Sequence, residues 1–245
     1  MKAKLAVLLS TLAASGALMA QTTPKPPEPD YTLSFNVGAV TDYRYRGISQ
    51  SRLQPAIQGG ADLAHKSGLY IGTWASSIKW IKDAGGDASA EVDIYGGYKT
   101  TYSGIGFDVG FLRYLYPSSS LPISPYTTEI YLAGTWGPAT LKYSHALTNL
   151  FGFADSKNSG YLDLSATFDV GGGFMLVPHV GYQKVQHNSY ADYTDVSIAV
   201  SKEVYSGLTV SLTGYANDTK DSTYVSSGGK YLGRKGVALA AKYVF

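Results

Sequence analysis

Cysteine is absent from the 245-residue sequence. That excludes a disulfide scaffold, a structural zinc cluster and a thiol nucleophile. Charge is scarce as well. Asp, Glu, Lys and Arg make up 16% of the chain, against about 25% in an ordinary soluble domain. The four His are scattered singly, so no metal-ligand spacing is visible and neither a metal nor another cofactor is expected. After residue 20 the chain holds no apolar run approaching the roughly 20 residues that a membrane-crossing helix needs. What is abundant is glycine, at 28 residues, and tyrosine, at 21, within a 44% hydrophobic composition. That much apolar content excludes a disordered chain. Together with the low charge it points to an all-β protein rich in turns.

The first twenty residues read as an address label. Lys2 and Lys4 precede an apolar run from Leu5 to Leu18, and Ala20 stands before the polar Gln21. This pattern predicts a secretory signal peptide over residues 1–20, cleaved after Ala20 or, alternatively, after Ala17. A retained anchor would need a longer apolar run. Loss of Lys2 and Lys4 lowers the basic count from 20 to 18, equal to the 18 acidic residues. No clustered basic face remains, so nucleic acid is not an expected partner. Residues 21–30 carry Pro24, Pro26, Pro27 and Pro29 and predict an extended periplasmic linker.

From Tyr31 onward the chain alternates. Tyr31, Leu33, Phe35, Val37, Ala39, Thr41, Tyr43 and Tyr45 share one parity, and Thr32, Ser34, Asn36, Gly38, Asp42, Arg44 and Arg46 share the other, with Val40 the one exception. Successive side chains of a strand point to opposite faces, so one long strand with an apolar and a polar face is expected. The pattern recurs, as in Leu162, Leu164, Ala166 and Phe168 against Asp163, Ser165 and Thr167. Leu69 to Ser77 is the ambiguous segment, with Leu69 and Ile71 on one parity and Tyr70 and Trp74 on the other. Twelve strands emerge, joined alternately by short turns and long loops. A soluble sandwich does not alternate in this way. An antiparallel up-and-down transmembrane barrel does, with short turns on one side of the membrane and long loops on the other. The expected fold is therefore a β-barrel over residues 31–245 in the bacterial outer membrane, with both termini periplasmic.

This frame assigns roles by parity and height. Asp42, Arg44, Arg46, Asp62, Glu91 and Asp93 fall on the polar parity and are expected to line a pore with charges of both signs. Tyr43, Tyr45, Tyr98, Trp136, Phe168 and Tyr243 fall on the apolar parity near strand ends, where aromatic rings sit at the membrane interface. Phe245, a terminal aromatic on an alternating strand, reads as a signal for the outer-membrane insertion machinery. Two His-x-Ser pairs, His65–Ser67 and His187–Ser189, lie in a turn and a loop and read as polar turn residues rather than a hydrolase. Gly171–Gly173 reads as a turn, because no helix follows to make a phosphate loop.

The segment Thr41-Asp42-Tyr43-Arg44-Tyr45-Arg46-Gly47-Ile48-Ser49-Gln50, with Tyr70-Ile71-Gly72-Thr73-Trp74, Glu91-Val92-Asp93-Ile94-Tyr95-Gly96-Gly97-Tyr98 and Tyr114-Leu115-Tyr116-Pro117, resembles the TorF-family porins of Gram-negative outer membranes. The resemblance covers the mature chain and is densest in its first half. It implies a barrel, an outer-membrane location and passive diffusion of small polar or charged solutes. The expected partners are outer-membrane lipid and lipopolysaccharide, the insertion machinery and those solutes. The alternative is a closed barrel without transport, serving adhesion, envelope structure or lipid modification. Eight-stranded barrels are filled and sixteen-stranded ones open, so twelve strands allow a narrow pore at most.

Overall fold

A computed structural model describes residues 29–245. The expected signal peptide and residues 21–28 of the linker lie outside the described residues. The wall consists of β1 (Tyr31–Val40), β2 (Ala56–His65), β3 (Leu69–Ser77), β4 (Ala90–Tyr102), β5 (Ile105–Leu115), β6 (Thr127–Trp136) and β7 (Ala139–Ala146). It continues as β8 (Gly160–Ala166, resumed by Phe168–Asp169 after a break at Thr167), β9 (Phe174–Lys184), β10 (Tyr193–Tyr205), β11 (Leu208–Asn217) and β12 (Gly236–Val244). Each strand pairs antiparallel with its chain neighbour, and β12 pairs with β1, so the twelve strands close into a barrel. Closure leaves no strand edge, the only sheet arrangement that satisfies every backbone donor and acceptor in a bilayer. Phe35 and Phe245 exchange backbone hydrogen bonds of 2.8 and 2.9 Å at the seam, and their rings stack at 5.9 Å.

The two faces follow the alternation. Outside stand apolar side chains such as Leu33, Val109, Leu132, Leu164, Ile198 and Leu239, all exposed on the single chain. In water this would be a large unstable patch; against lipid it is the expected surface. β3 resolves its ambiguity the same way: Leu69 and Ile71 face out, while Tyr70 hydrogen-bonds to Asp108 inside and Trp74 packs edge-on against Tyr43. The lumen wall must be thin where these large rings lie over it. A Cβ on Gly97 would stand 2.6 Å from the Tyr70 hydroxyl, so only glycine fits there.

Short turns at residues 66–68, 103–104, 137–138, 170–173 and 206–207 mark one end of the barrel, the turn end. Long connections, residues 41–55, 78–89, 116–126, 147–159, 185–192 and 218–235, mark the other. The first of these corrects the sequence reading. β1 stops at Val40, and residues 41–55 leave the wall and fold into the lumen, where the expected strand would have continued to Arg46. The polar groups of this segment drive the departure. Asp42 accepts a bond from Ser49 Oγ at 2.5 Å, and the Tyr43 N–H donates to Ser51 Oγ at 3.0 Å. The Gln50 N–H returns to the Tyr43 carbonyl at 2.7 Å.

Candidate functional site

The folded-in segment is built around a small hairpin, Arg44–Tyr45 paired with Ile48–Ser49. Arg46 and Gly47 form its two-residue turn, with φ of 47° and 78°. Two successive positive φ values are what a type I′ turn requires, easy for glycine and costly for arginine. Gly47 has a second constraint: a Cβ there would lie 2.8 Å from Asp195 Cβ on β10. The hairpin tip therefore abuts the wall, and the Gly47 carbonyl accepts bonds from Arg44 Nη1 and Asn217 Nδ2, each 3.1 Å.

Arg46 spans the lumen. Its guanidinium donates to Glu129 on β6 at 2.8 and 3.0 Å and to Gln183 on β9 at 2.8 Å. Tyr45 and Tyr161 flank it, with ring centroids 4.8 and 4.2 Å from its central carbon. Burial by itself would lower the proton affinity of Arg46, but the Glu129 carboxylate holds it above its ordinary value. Arg44 pairs with Asp42 at 2.7 Å and donates to the Arg234 carbonyl at 2.8 Å. Tyr43 donates to Glu91 at 2.6 Å, and Tyr45 shares a hydrogen bond with Tyr114. Burial pushes both Tyr43 and Tyr45 hydroxyls well above their usual value, so they remain neutral donors.

Four cavities surround this septum. An aromatic-walled vestibule of about 250 Å³ lies on the loop side, bounded by Trp80, Tyr116, Phe151 and Tyr224 together with Tyr45 and Arg46. Tyr45 and Arg46 also line the next cavity, of about 310 Å³, which holds Asp163, His179 and Asp195. Leu112 and Lys142 are common to that cavity and a central one of about 410 Å³ lined by Asp62 and Asp93. A side chamber of about 230 Å³ lies against Asp42, Arg44 and Trp74.

The sequence-predicted residues separate into groups. Arg44, Arg46 and Asp42 do reach the lumen, but on the folded-in segment of the hairpin and not on a wall strand. Asp62 and Asp93 line the central cavity from β2 and β4. Glu91 lies buried beneath Tyr43 and reaches none of the four cavities. Tyr43 and Tyr45 correct the expectation of lipid-facing rings: they pack inside against Trp74 and against Tyr114 and Phe151. Their parity was counted along a strand that does not exist, and their hydroxyls find buried partners that lipid could not offer. Tyr98, Trp136, Phe168 and Tyr243 stand exposed on the outer face at the turn end, and Phe245 beside them stacks on Tyr243 at 5.9 Å.

Sequence reasoning did not single out Glu129, Lys142, Tyr161, Asp163, His179 or Asp195. Each lies on the polar parity of its strand, so direction was legible while height in the barrel was not. His179 bonds to Asp163 at 2.9 Å, and Tyr161 donates to Asp195 at 2.8 Å. His65 lies 2.8 Å from Ser67 Oγ in an exposed turn, and His187 contacts only the Asp155 carbonyl. Neither pair has an orienting carboxylate among the described residues. No cluster of metal-ligating side chains is present among them either.

A family model described as "Bacterial protein of unknown function (Gcw_chp)" matches residues 24–245. No curated protein matches the sequence. Among solved structures the chain is similar to the KdgM porin, with a TM-score of 0.56 at 8% identity over 86% of this chain and 99% of that one. It is similar to the NanC porin, with a TM-score of 0.55 at 11% identity over 87% and 98%. It is also similar to the COG4313 outer membrane channel from Pseudomonas putida F1, with a TM-score of 0.50 at 12% identity over 90% and 98%. At such identities these likenesses show a shared barrel fold.

Proposed function

The chain belongs to the Gcw_chp family of bacterial proteins, and from that premise we propose that it is a narrow outer-membrane porin passing small polar or charged solutes by passive diffusion. The observation that carries this reading is the run of cavities from the loop-side vestibule past Tyr45 and Arg46 to the central chamber, each sharing lining residues with the next. The largely apolar outer face, with its few charges such as Arg113 and Lys184 near strand ends, supports residence in a bilayer. Both ends of the described residues lie at the turn end, where the Lys66 N–H bonds to the Asp30 carbonyl at 2.9 Å, which fits periplasmic termini and external loops. The motif resemblance to TorF-family porins points in the same direction. So do the solved relatives, one of which is described as a porin in complex with disordered oligogalacturonate.

In this reading the hairpin sets the constriction. Arg44 and Arg46 place positive charge at this level, Asp42 pairs with Arg44 on the same segment, and Asp163, Asp195 and Glu129 answer from the wall. Separated charges in a low-dielectric tube act on a passing solute more strongly than they would in water. Refolded protein in planar bilayers should show small discrete conductance steps. Replacing Arg44 and Arg46 by Ala should move the reversal potential toward cations. Folded protein without conductance would overturn the porin reading. It would favour the second one, a closed barrel acting through its loops, for which the buried tether between Arg46 and Glu129 is the specific argument.

A further inference from the structure

The central cavity holds charges of both signs that the protein leaves apart. Asp62 and Asp93 lie on β2 and β4, and Lys142 and Lys242 on β7 and β12, so the carboxylates occupy the middle of an arc of wall with an ammonium group at each end. None of the four makes an ion pair among the described residues. Asp93 is only 7% exposed, and its Oδ1 is buried with no hydrogen-bond partner. Asp62 receives a bond from the Tyr95 hydroxyl at 2.6 Å, and Lys142 sits 3.9 Å above the Tyr131 ring centroid. The contrast with the hairpin above is sharp in kind: there Arg44 and Arg46 are each closed onto a carboxylate at 2.7 and 2.8 Å.

A buried polar group without a partner is costly. If Asp93 served only to fill the barrel, an apolar side chain or a contact partner would be cheaper, whereas Asp62, Lys142 and Lys242 keep access to the same open space. Held apart on a rigid wall around an open space, they are arranged to be answered from within that space. A neutral solute answers none of them. A simple cation answers the carboxylates and is repelled by the lysines, and a simple anion does the reverse. A solute carrying an ammonium and a carboxylate answers both sets at once.

We propose that the central cavity is a transit subsite for small zwitterions of the amino-acid type, with the solute ammonium on Asp93 and Asp62 and the solute carboxylate on Lys142 or Lys242. This rests on the porin reading and names its substrate class. Interaction with several weak charges suits passage, since a solute must leave as readily as it enters.

The test uses the full barrel in proteoliposomes and four solutes on one three-carbon frame: alanine, lactamide, lactate and protonated alaninamide. Wild type should pass alanine severalfold faster than neutral lactamide and faster than either singly charged solute. The ratio of alanine to lactamide flux should fall severalfold in Asp93→Asn, which removes the ionisable carboxyl with almost no change of shape. It should also fall in Lys142→Met, which keeps the apolar stem over Tyr131. Folding of each variant is checked by heat-modifiable gel migration, and either variant alone suffices for the comparison. Equal flux of all four solutes, or a ratio unchanged in a folded variant, overturns the inference while leaving the porin intact. Preference for alaninamide alone, or for lactate alone, replaces it with a cation or anion site. If none of the four solutes passes, the porin reading falls and takes the subsite with it.

Discussion

Arg46 and Glu129, 83 residues apart in sequence, meet through two hydrogen bonds of 2.8 and 3.0 Å that fasten the tip of the inner hairpin to β6. Both side chains are nearly sealed from solvent, at 7% and 3% exposure. A pair of this kind is weak evidence for net stability, because desolvation offsets much of the attraction, but breaking it from one side leaves an unanswered buried charge. Glu129→Gln should therefore destabilise the barrel by about 3–5 kcal/mol. It should also raise and roughen single-channel conductance as the hairpin loosens. Adding Arg46→Gln should restore stability while keeping the larger conductance. A double variant with wild-type conductance would show that the tether does not set the constriction.

Tyr43 supplies a second check on the folded-in segment. Its hydroxyl is the donor to buried Glu91 at 2.6 Å. Tyr43→Phe should cost about 1–3 kcal/mol, the penalty for stranding a buried acceptor. Tyr143→Phe, on the exposed outer face, should change the denaturant midpoint little. Equal, small effects at both positions would return Tyr43 to the lipid face.

The assignment of faces predicts an asymmetry between neighbours on β8. Leu164 faces outward at 46% exposure. Leu164→Arg should cost roughly 2–4 kcal/mol if that position lies near the bilayer midplane. Ser165→Arg, toward the lumen, should cost less. Equilibrium folding into lipid vesicles measures both, and the reverse order would mean that lipid and lumen faces are exchanged.

Orientation is tested by accessibility. An epitope inserted between Asp218 and Lys230, in the longest of the late connections, should be reached by antibody on intact cells. The same epitope at Gly171–Gly173 should be reached only after permeabilisation. The opposite pattern would place the long loops in the periplasm.

The sequence alone determined the wall. Alternation with a period of two is a local property: each side chain's face follows from its place on its own strand, so Leu162, Leu164 and Phe168 read as outward and Asp163 and Ser165 as inward without knowledge of any neighbour. The spacing of turns and loops then set the strand number, because short connections bind antiparallel neighbours. What tertiary structure decided was the fate of residues 41–55. The alternation of Tyr43, Arg44, Tyr45 and Arg46 suits a strand as well as it suits a hairpin. The choice falls to partners distant in the chain: Glu91 for Tyr43, Tyr114 for Tyr45, Glu129 and Gln183 for Arg46. The one local clue was Arg46-Gly47, a turn dipeptide set inside the run. The height at which charges meet was equally hidden. Parity fixes the direction of a side chain, whereas the level at which Asp62, Asp93, Lys142 and Lys242 gather around one cavity depends on strand register and barrel closure, which no single stretch of sequence contains.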